Sequence, residues 1–238
     1  MQRFTRLAML VVMFILIAQL PLLVCAENTR LDSQSVTEEV KRSFLDITDL
    51  TLLTEEGYPQ PIACFNVSND GLIALGFENF AKKTVLVYST DGTFQYGFRF
   101  SCDGSFGVSF VGENLSIYFA KSRYLATFNS NGTCTAIESV KATSANSETI
   151  RKLLYSTQYK IGDLTYHLER DIGFAARSYS RLIVSDSHGF ERIIYNVSLI
   201  HNIQTVFAVI AGCCIVILVP IQLKKQMREK SDSKKQEK

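Results

Sequence analysis

Hydrophobic positions fall along this chain in three rhythms. Two stretches are almost unbroken: "LAMLVVMFILIAQLPLLVCA", Leu7 to Ala26, and "IQTVFAVIAGCCIVILVPIQL", Ile203 to Leu223. Between them, Thr29 to Asp46 is mostly polar. There Ser35 and Glu38 are spaced as a capping box, and Val36, Val40 and Phe44 follow at intervals of four. That spacing predicts a short amphipathic helix, or else a linker that lifts the following domain. From Leu50 onward, β-branched and aromatic residues alternate with polar ones and turn residues interrupt every few positions. This is the rhythm of strands.

Within the β-rich part a unit of roughly 40 to 55 residues recurs. Its plainest segments are "KTVLVYSTDGTFQYGF" (Lys83 to Phe98), "RYLATFNSNGTCTAI" (Arg123 to Ile137) and "SRLIVSDSHGFERIIY" (Ser180 to Tyr195). In each, an apolar strand enters a turn that ends in glycine, at Gly92, Gly132 or Gly189, and a second strand leaves. Asp91-Gly92 and Asn131-Gly132 suit tight hairpin turns with positive φ, and His188-Gly189 is a weaker version. Ahead of each hairpin lies another predicted strand pair: "CFNVSNDGLIALGF", with its own turn at Asp70-Gly71, then "SFGVSFVGENLSIYFAKS" and "TYHLERDIGFAARSY".

Each unit therefore reads as a propeller-blade-like antiparallel sheet of four strands. Three are too few for a closed propeller, which has about four to eight blades. A stacked-sheet solenoid, a single sandwich and a partial propeller completed by other chains stay open. The favoured arrangement is an open, twisted structure of two to three sheets. "NSETIRKLLYS", capped by Asn146 or Ser147, predicts a short helix covering an edge or an open face. The fold class is mainly β, with one C-terminal transmembrane helix.

The flanks of the two apolar stretches assign the topology. Arg3 and Arg6 precede the first, and Pro21 and Val24-Cys25-Ala26 end it in the manner of a signal peptide. The second is long enough to cross a bilayer, and Lys224, Lys225 and Arg228 follow at once. Basic residues stay cytoplasmic, so the tail is expected inside and the section between the stretches outside. A cleaved leader gives one span; a retained one gives two, with both ends in the cytoplasm. The reading favours cleavage. The expected segments are a leader (1–26), a polar linker or helix (27–49), an extracytoplasmic β-rich domain (50–200), a span (203–223) and a basic tail (224–238). Ala208 and Gly212 form a small-xxx-small pair through which two spans could approach as a homo-oligomer.

Charge refines this picture. The net +2 hides an asymmetry: 16 basic and 20 acidic residues lie between Glu27 and Ile200, whereas the tail holds seven basic and three acidic. Nothing in that balance points to nucleic acid. The tail marks orientation and could also rest on anionic lipid. Of six cysteines, Cys64, Cys102 and Cys134 fall in the outward section. Cys64 and Cys102, each near a strand pair, are the candidate disulfide; free buried thiols are the alternative.

Candidate chemistry is sparse. The three histidines are His167, His188 and His201, and no nucleophile-elbow pattern accompanies them. His167, near Asp163, Glu169 and Asp171, is the best general base, though a polar strand residue is the plainer reading. Asn66-x-Ser68-x-Asp70-Gly71 has a faint calcium-loop look, but Phe77 stands where the closing carboxylate should be. Asp103-Gly104 reads as another turn. Asn66, Asn114, Asn131 and Asn196 open glycosylation triplets that would count only in a eukaryotic secretory protein. Phe94, Tyr96, Phe98 and Phe100 alternate, so all four are expected on one sheet face, as core rather than as a ligand platform. Phe106 and Phe110 extend the aromatic set. No catalytic, cofactor-binding or metal-binding residue is assigned.

"CFNVSNDGLIALGF…KKTVLVYSTDGTFQYGF", followed by "CDGSFGV", resembles a group of uncharacterised membrane-anchored β-rich proteins of Gram-positive, clostridial-type gut bacteria. The resemblance covers most of Cys64 to Leu223. It implies a bacterial membrane location and a shared fold, and it carries no activity to any residue. Three functions are expected candidates. The leading one is a cell-surface module that binds or senses a protein or peptide partner, most simply by adding a strand to a sheet edge. The others are an envelope hydrolase using carboxylates such as Asp163 or Glu169, and a structural subunit of an oligomeric propeller-like assembly.

Overall fold

The structure, a computed structural model, describes residues 24–25, 31–78, 82–170 and 179–198. The expected span, the tail, Ala208 with Gly212, His201, Asp171 and all of the leader except Val24–Cys25 lie outside the described residues. Among the described residues no helix is long and apolar enough to cross a membrane.

Three antiparallel meanders carry the architecture. The first runs through β4 (Ile62–Val67), β5 (Ile73–Glu78), β6 (Lys82–Tyr88) and β7 (Phe94–Ser101), and β3 (Thr51–Leu53) pairs outside β7. The second runs through β8 (Phe106–Val111), β9 (Asn114–Phe119), β10 (Tyr124–Phe128) and β11 (Cys134–Val140), with β2 (Ser33–Ser35) outside β11. The third comprises β12 (Gln158–Ile161), β13 (Leu164–Glu169), β14 (Arg181–Ser185) and β15 (Glu191–Asn196). Here the fifth strand, β1 (Val24–Cys25), lies parallel to β12 at the other edge. Two helices complete the fold, α1 (Glu38–Thr48) and α2 (Ser144–Tyr155).

The first sheet is the middle layer. One of its faces, with Phe65, Leu75, Leu86 and Tyr88, packs on Tyr159, Tyr166, Leu182 and Tyr195 of the third sheet. The other, with Val85, Phe98 and Phe100, packs on Phe106, Ile117, Phe119 and Phe128 of the second. Burial on both faces explains why "IALGF" and "TVLVY" are apolar without alternation. Gly76 allows the close approach: a Cβ there would lie 2.5 Å from Cys64 Sγ and 2.9 Å from the Phe106 ring. The outer face of the second sheet is covered in turn by Ile150, Leu153 and Leu154 of α2. The helix thus closes an open face, as its sequence position suggested.

Several sequence expectations need correction. Thr37 caps α1 in place of Ser35, which is in β2, and residues 31–49 are built into the module through β2 and Phe44 instead of acting as a spacer. Thr143 caps α2. Asn146 lies inside that helix, where its amide donates to the carbonyls of Asp32 and Lys141 at 2.8 Å each and accepts from Asp32 N at 2.9 Å. Of the expected pair in "TYHLERDIGFAARSY", the described residues hold one strand, β13; its hairpin partner β12 comes earlier, across the turn at Gly162. Phe94 leaves the row of Tyr96, Phe98 and Phe100. Tyr88 pairs with Phe94 while Val87 pairs with Tyr96, so a bulge at Gln95 turns Phe94 to the opposite core.

Cys64, Cys102 and Cys134 are free thiols, and the expected Cys64–Cys102 pair is not formed. The topology explains this. Cys64 is on β4 and Cys102 follows β7, the two ends of a β7-β6-β5-β4 order. Three strand spacings separate them by roughly 14 Å, about twice the Cα–Cα reach of a disulfide.

Tyr195 clasps the chain ahead of β4. Its buried hydroxyl accepts from Gln60 N at 2.8 Å and donates to Gln60 O at 2.9 Å. Burial pushes its pKa up to about 12. An unfolded tyrosine ionises near pH 10, so the folded state holds the neutral form longer. The stabilisation is complete below about pH 10 and is lost as pH rises through about 12, a change of roughly 2.7 kcal/mol. Alkaline unfolding is therefore expected in that window, with tyrosinate absorbance and loss of far-ultraviolet dichroism rising together. Replacing Tyr195 by Phe should remove the clasp and lower stability at neutral pH; tyrosine ionisation complete near pH 10 in folded protein would contradict this.

Candidate functional site

The hairpin glycines mark one end of the module. Gly71, Gly92, Gly132 and Gly189 have φ of 87°, 90°, 83° and 81°. Each closes a turn in which its N–H donates to a carbonyl three residues back, at Ser68, Ser89, Asn129 and Asp186. These are three-residue loops in which only the glycine is left-handed. Asp91 and Asn131 do not share the positive φ expected of a two-residue turn. Side chains finish the loops: Asn129 Oδ1 accepts from Asn131 N and Thr133 N, and Asp186 Oδ1 accepts from His188 N and Phe190 N. Asp70, His188 and the Ser68–Gly71 stretch are therefore parts of turn architecture, and Asn66 is a strand residue of β4.

The opposite end holds a pocket of about 450 Å³. All three meanders start there, and β4 lies against both β8 and β12. Pro61 and Ala63 come from the start of β4, Ser105 and Phe106 from the start of β8, and Tyr155 and Ser156 from the end of α2 just before β12. Glu78 ends β5, Arg170 follows β13, and Tyr179 precedes β14. Tyr179 is fixed by a backbone bridge to Ile62, with N–H···O distances of 2.7 and 2.9 Å. One residue further, Ser180 O accepts from Val197 N at 2.9 Å.

Of the polar groups of this pocket, Arg170 and Tyr179 hold one another in place. The Arg170 guanidinium lies 4.5 Å over the Tyr179 ring centroid, and its Nη2 donates to the Tyr179 hydroxyl at 2.9 Å. Glu78 Oε1 stands 3.8 Å from Lys83 Nζ, beyond the length of a strong charge-assisted hydrogen bond. Ser156 is buried; its Oγ has the Tyr159 hydroxyl as polar neighbour but no hydrogen bond of normal geometry. The Tyr159 pKa is raised by burial, so that neighbour stays a neutral hydroxyl. A second hollow, of about 410 Å³, is lined by residues of α1 alone and lacks an opposing wall.

His167 is elsewhere. Its neighbours Tyr166 and Leu168 face the core, so His167 and Glu169 project from the outer face of the third sheet. His167 Nε2 lies 3.8 Å from Glu169 Oε1, and Glu169 Oε2 is 3.1 Å from Arg181 Nη2. Asp163 is in the turn at the far end of β13 and does not join them. Among the described residues no group of three or more His, Cys, Asp or Glu could hold a metal. Sequence reading missed Glu78, Arg170 and Tyr179, which come from different units. The available signal was the shared phase of the repeat, which brings the starts of the three meanders to one place. No protein-family model and no curated protein matches the chain.

Proposed function

We propose that the protein is a single-span membrane protein whose β-rich module, held outside the cytoplasm, binds or senses a ligand at the cell surface. The observation that carries this reading is the pocket at the common start of the three meanders, with an oriented Arg170 and two tyrosines around an apolar floor. Concave sites of this size with a few placed polar groups are ordinary small-ligand sites. Glu78 is the only acid among its described lining residues, and the hydrolase candidates Asp163 and Glu169 are not part of it. That favours binding over hydrolysis.

The sheets are blade-like, each built on a four-stranded meander, but the stack offers little room for further blades. α2 covers the outer face of the second sheet, and the outer face of the third carries Thr165, His167, Glu169 and Arg181 beside Ile183 and the half-exposed Ile193. The cover of α2 on one side and the charged groups on the other favour the binding module over a subunit that completes an oligomeric propeller. The membrane placement rests on the apolar stretch Ile203 to Leu223 and the lysines directly after it.

Protease added to intact, wall-stripped cells expressing the full chain tests the placement. The β-module should be digested while an epitope after Lys238 stays protected. Loss of the epitope with survival of the module would reverse the topology and overturn the reading.

A further inference from the structure

We propose that the pocket takes a small zwitterion, an α-amino acid with an apolar or aromatic side chain; this rests on the reading of the pocket as a ligand site. Arg170 supplies the carboxylate subsite. Its planar face is stacked on Tyr179 and one nitrogen is committed to the tyrosine hydroxyl, which fixes the plane and leaves further N–H donors. A guanidinium so held matches a carboxylate through two parallel hydrogen bonds, a geometry that lysine does not reproduce.

Glu78 supplies the opposite charge. Its long contact with Lys83 leaves acceptor capacity, and it lines the same pocket as Arg170. A ligand ammonium would bind there, and a second ligand carboxylate would be repelled. Ser156 Oγ, buried and without a protein hydrogen bond of normal geometry, gains a partner when a polar ligand group arrives. Between these groups, Phe106, Leu154 and Pro61 provide apolar surface for a side chain. The volume of about 450 Å³ suits a single amino acid better than a polymer.

Calorimetric titration of the full chain in detergent tests this with L-phenylalanine and L-leucine as probes. 3-Phenylpropionate, which lacks the ammonium, and phenethylamine, which lacks the carboxylate, serve as controls. Saturable binding of at least one amino acid is expected. Arg170→Gln and Glu78→Gln should each weaken it by roughly tenfold or more. Arg170→Lys should recover only part of the loss, and Arg170→Gln should leave the melting temperature unchanged because the side chain is exposed. The controls should divide: phenylpropionate loses affinity with Arg170→Gln only, phenethylamine with Glu78→Gln only. Absence of amino-acid binding, or binding indifferent to both substitutions, overturns the proposal. If an unrelated small molecule binds in a way that depends on Arg170, the amino-acid assignment fails while the ligand-site reading stands.

Discussion

Replacing Asn146 by Ala is expected to lower the stability of the module by about 3 kcal/mol, measured by urea unfolding of the detergent-solubilised chain. The residue is 3% exposed, and its amide satisfies three backbone groups on two separate segments, at Asp32 and Lys141. Truncation leaves the Asp32 N–H without its partner and removes one of two donors from each carbonyl, which keep only the N–H groups of Lys141 and Thr143. The orphaned N–H costs about 1 to 3 kcal/mol and each of the two lost hydrogen bonds about 0.5 to 1.5, which together give the figure above. Asn146→Asp is the sharper variant. It keeps the acceptor for Asp32 N but sets a carboxylate against two carbonyl oxygens, so it should be at least as harmful as Ala. An Asp variant as stable as the parent would show that the amide does not join β2 to the start of α2.

Phe98→Ala should cost about 3 to 5 kcal/mol, the range for emptying a large aromatic site in a packed core. Phe98 is fully buried between the first and second sheets, with ring centroids 5.5 Å from Phe128 and 5.6 Å from Tyr96. Phe94→Ala should cost clearly less, since that side chain is only partly buried and packs at the margin of the other core, 6.0 Å from Tyr88. Equal losses in thermal unfolding of the two variants would contradict the change of face produced by the bulge at Gln95.

These two residues show what was and was not legible before the structure. Strand content, the hairpins and the two helices follow from local chemistry. Glycine three residues after Ser89, Asn129 or Asp186 can adopt the conformation that ends the loop, and the spacing of Val36, Val40 and Phe44 places a helix face. The bulge left no comparable mark, because Gln95 has an ordinary side chain for an alternating strand. The role of Asn146 was hidden for a different reason. Its partner Asp32 is 114 residues away, and a helix-start position gives asparagine a sufficient local explanation as a cap.

The pocket was less legible still. Arg170 and Tyr179 fell within what read as a continuous strand pair, and Glu78 read as the polar end of an apolar strand. Their meeting depends on how three sheets pack, which no window of one unit contains. By contrast, the unbroken apolar runs in β5 and β6 did carry a long-range message: strands without a polar face belong between two other layers.

The hydrogen bond from Val197 to Ser180 has a mechanical consequence. It ties the strand leading toward the carboxyl-terminal apolar stretch to the residue beside Tyr179. If the proposed span and ligand site both hold, a guest that shifts the tyrosine would tug on the tether of the module, and tension on that tether would reach the aromatic wall in return. Occupancy and pull share one short lever.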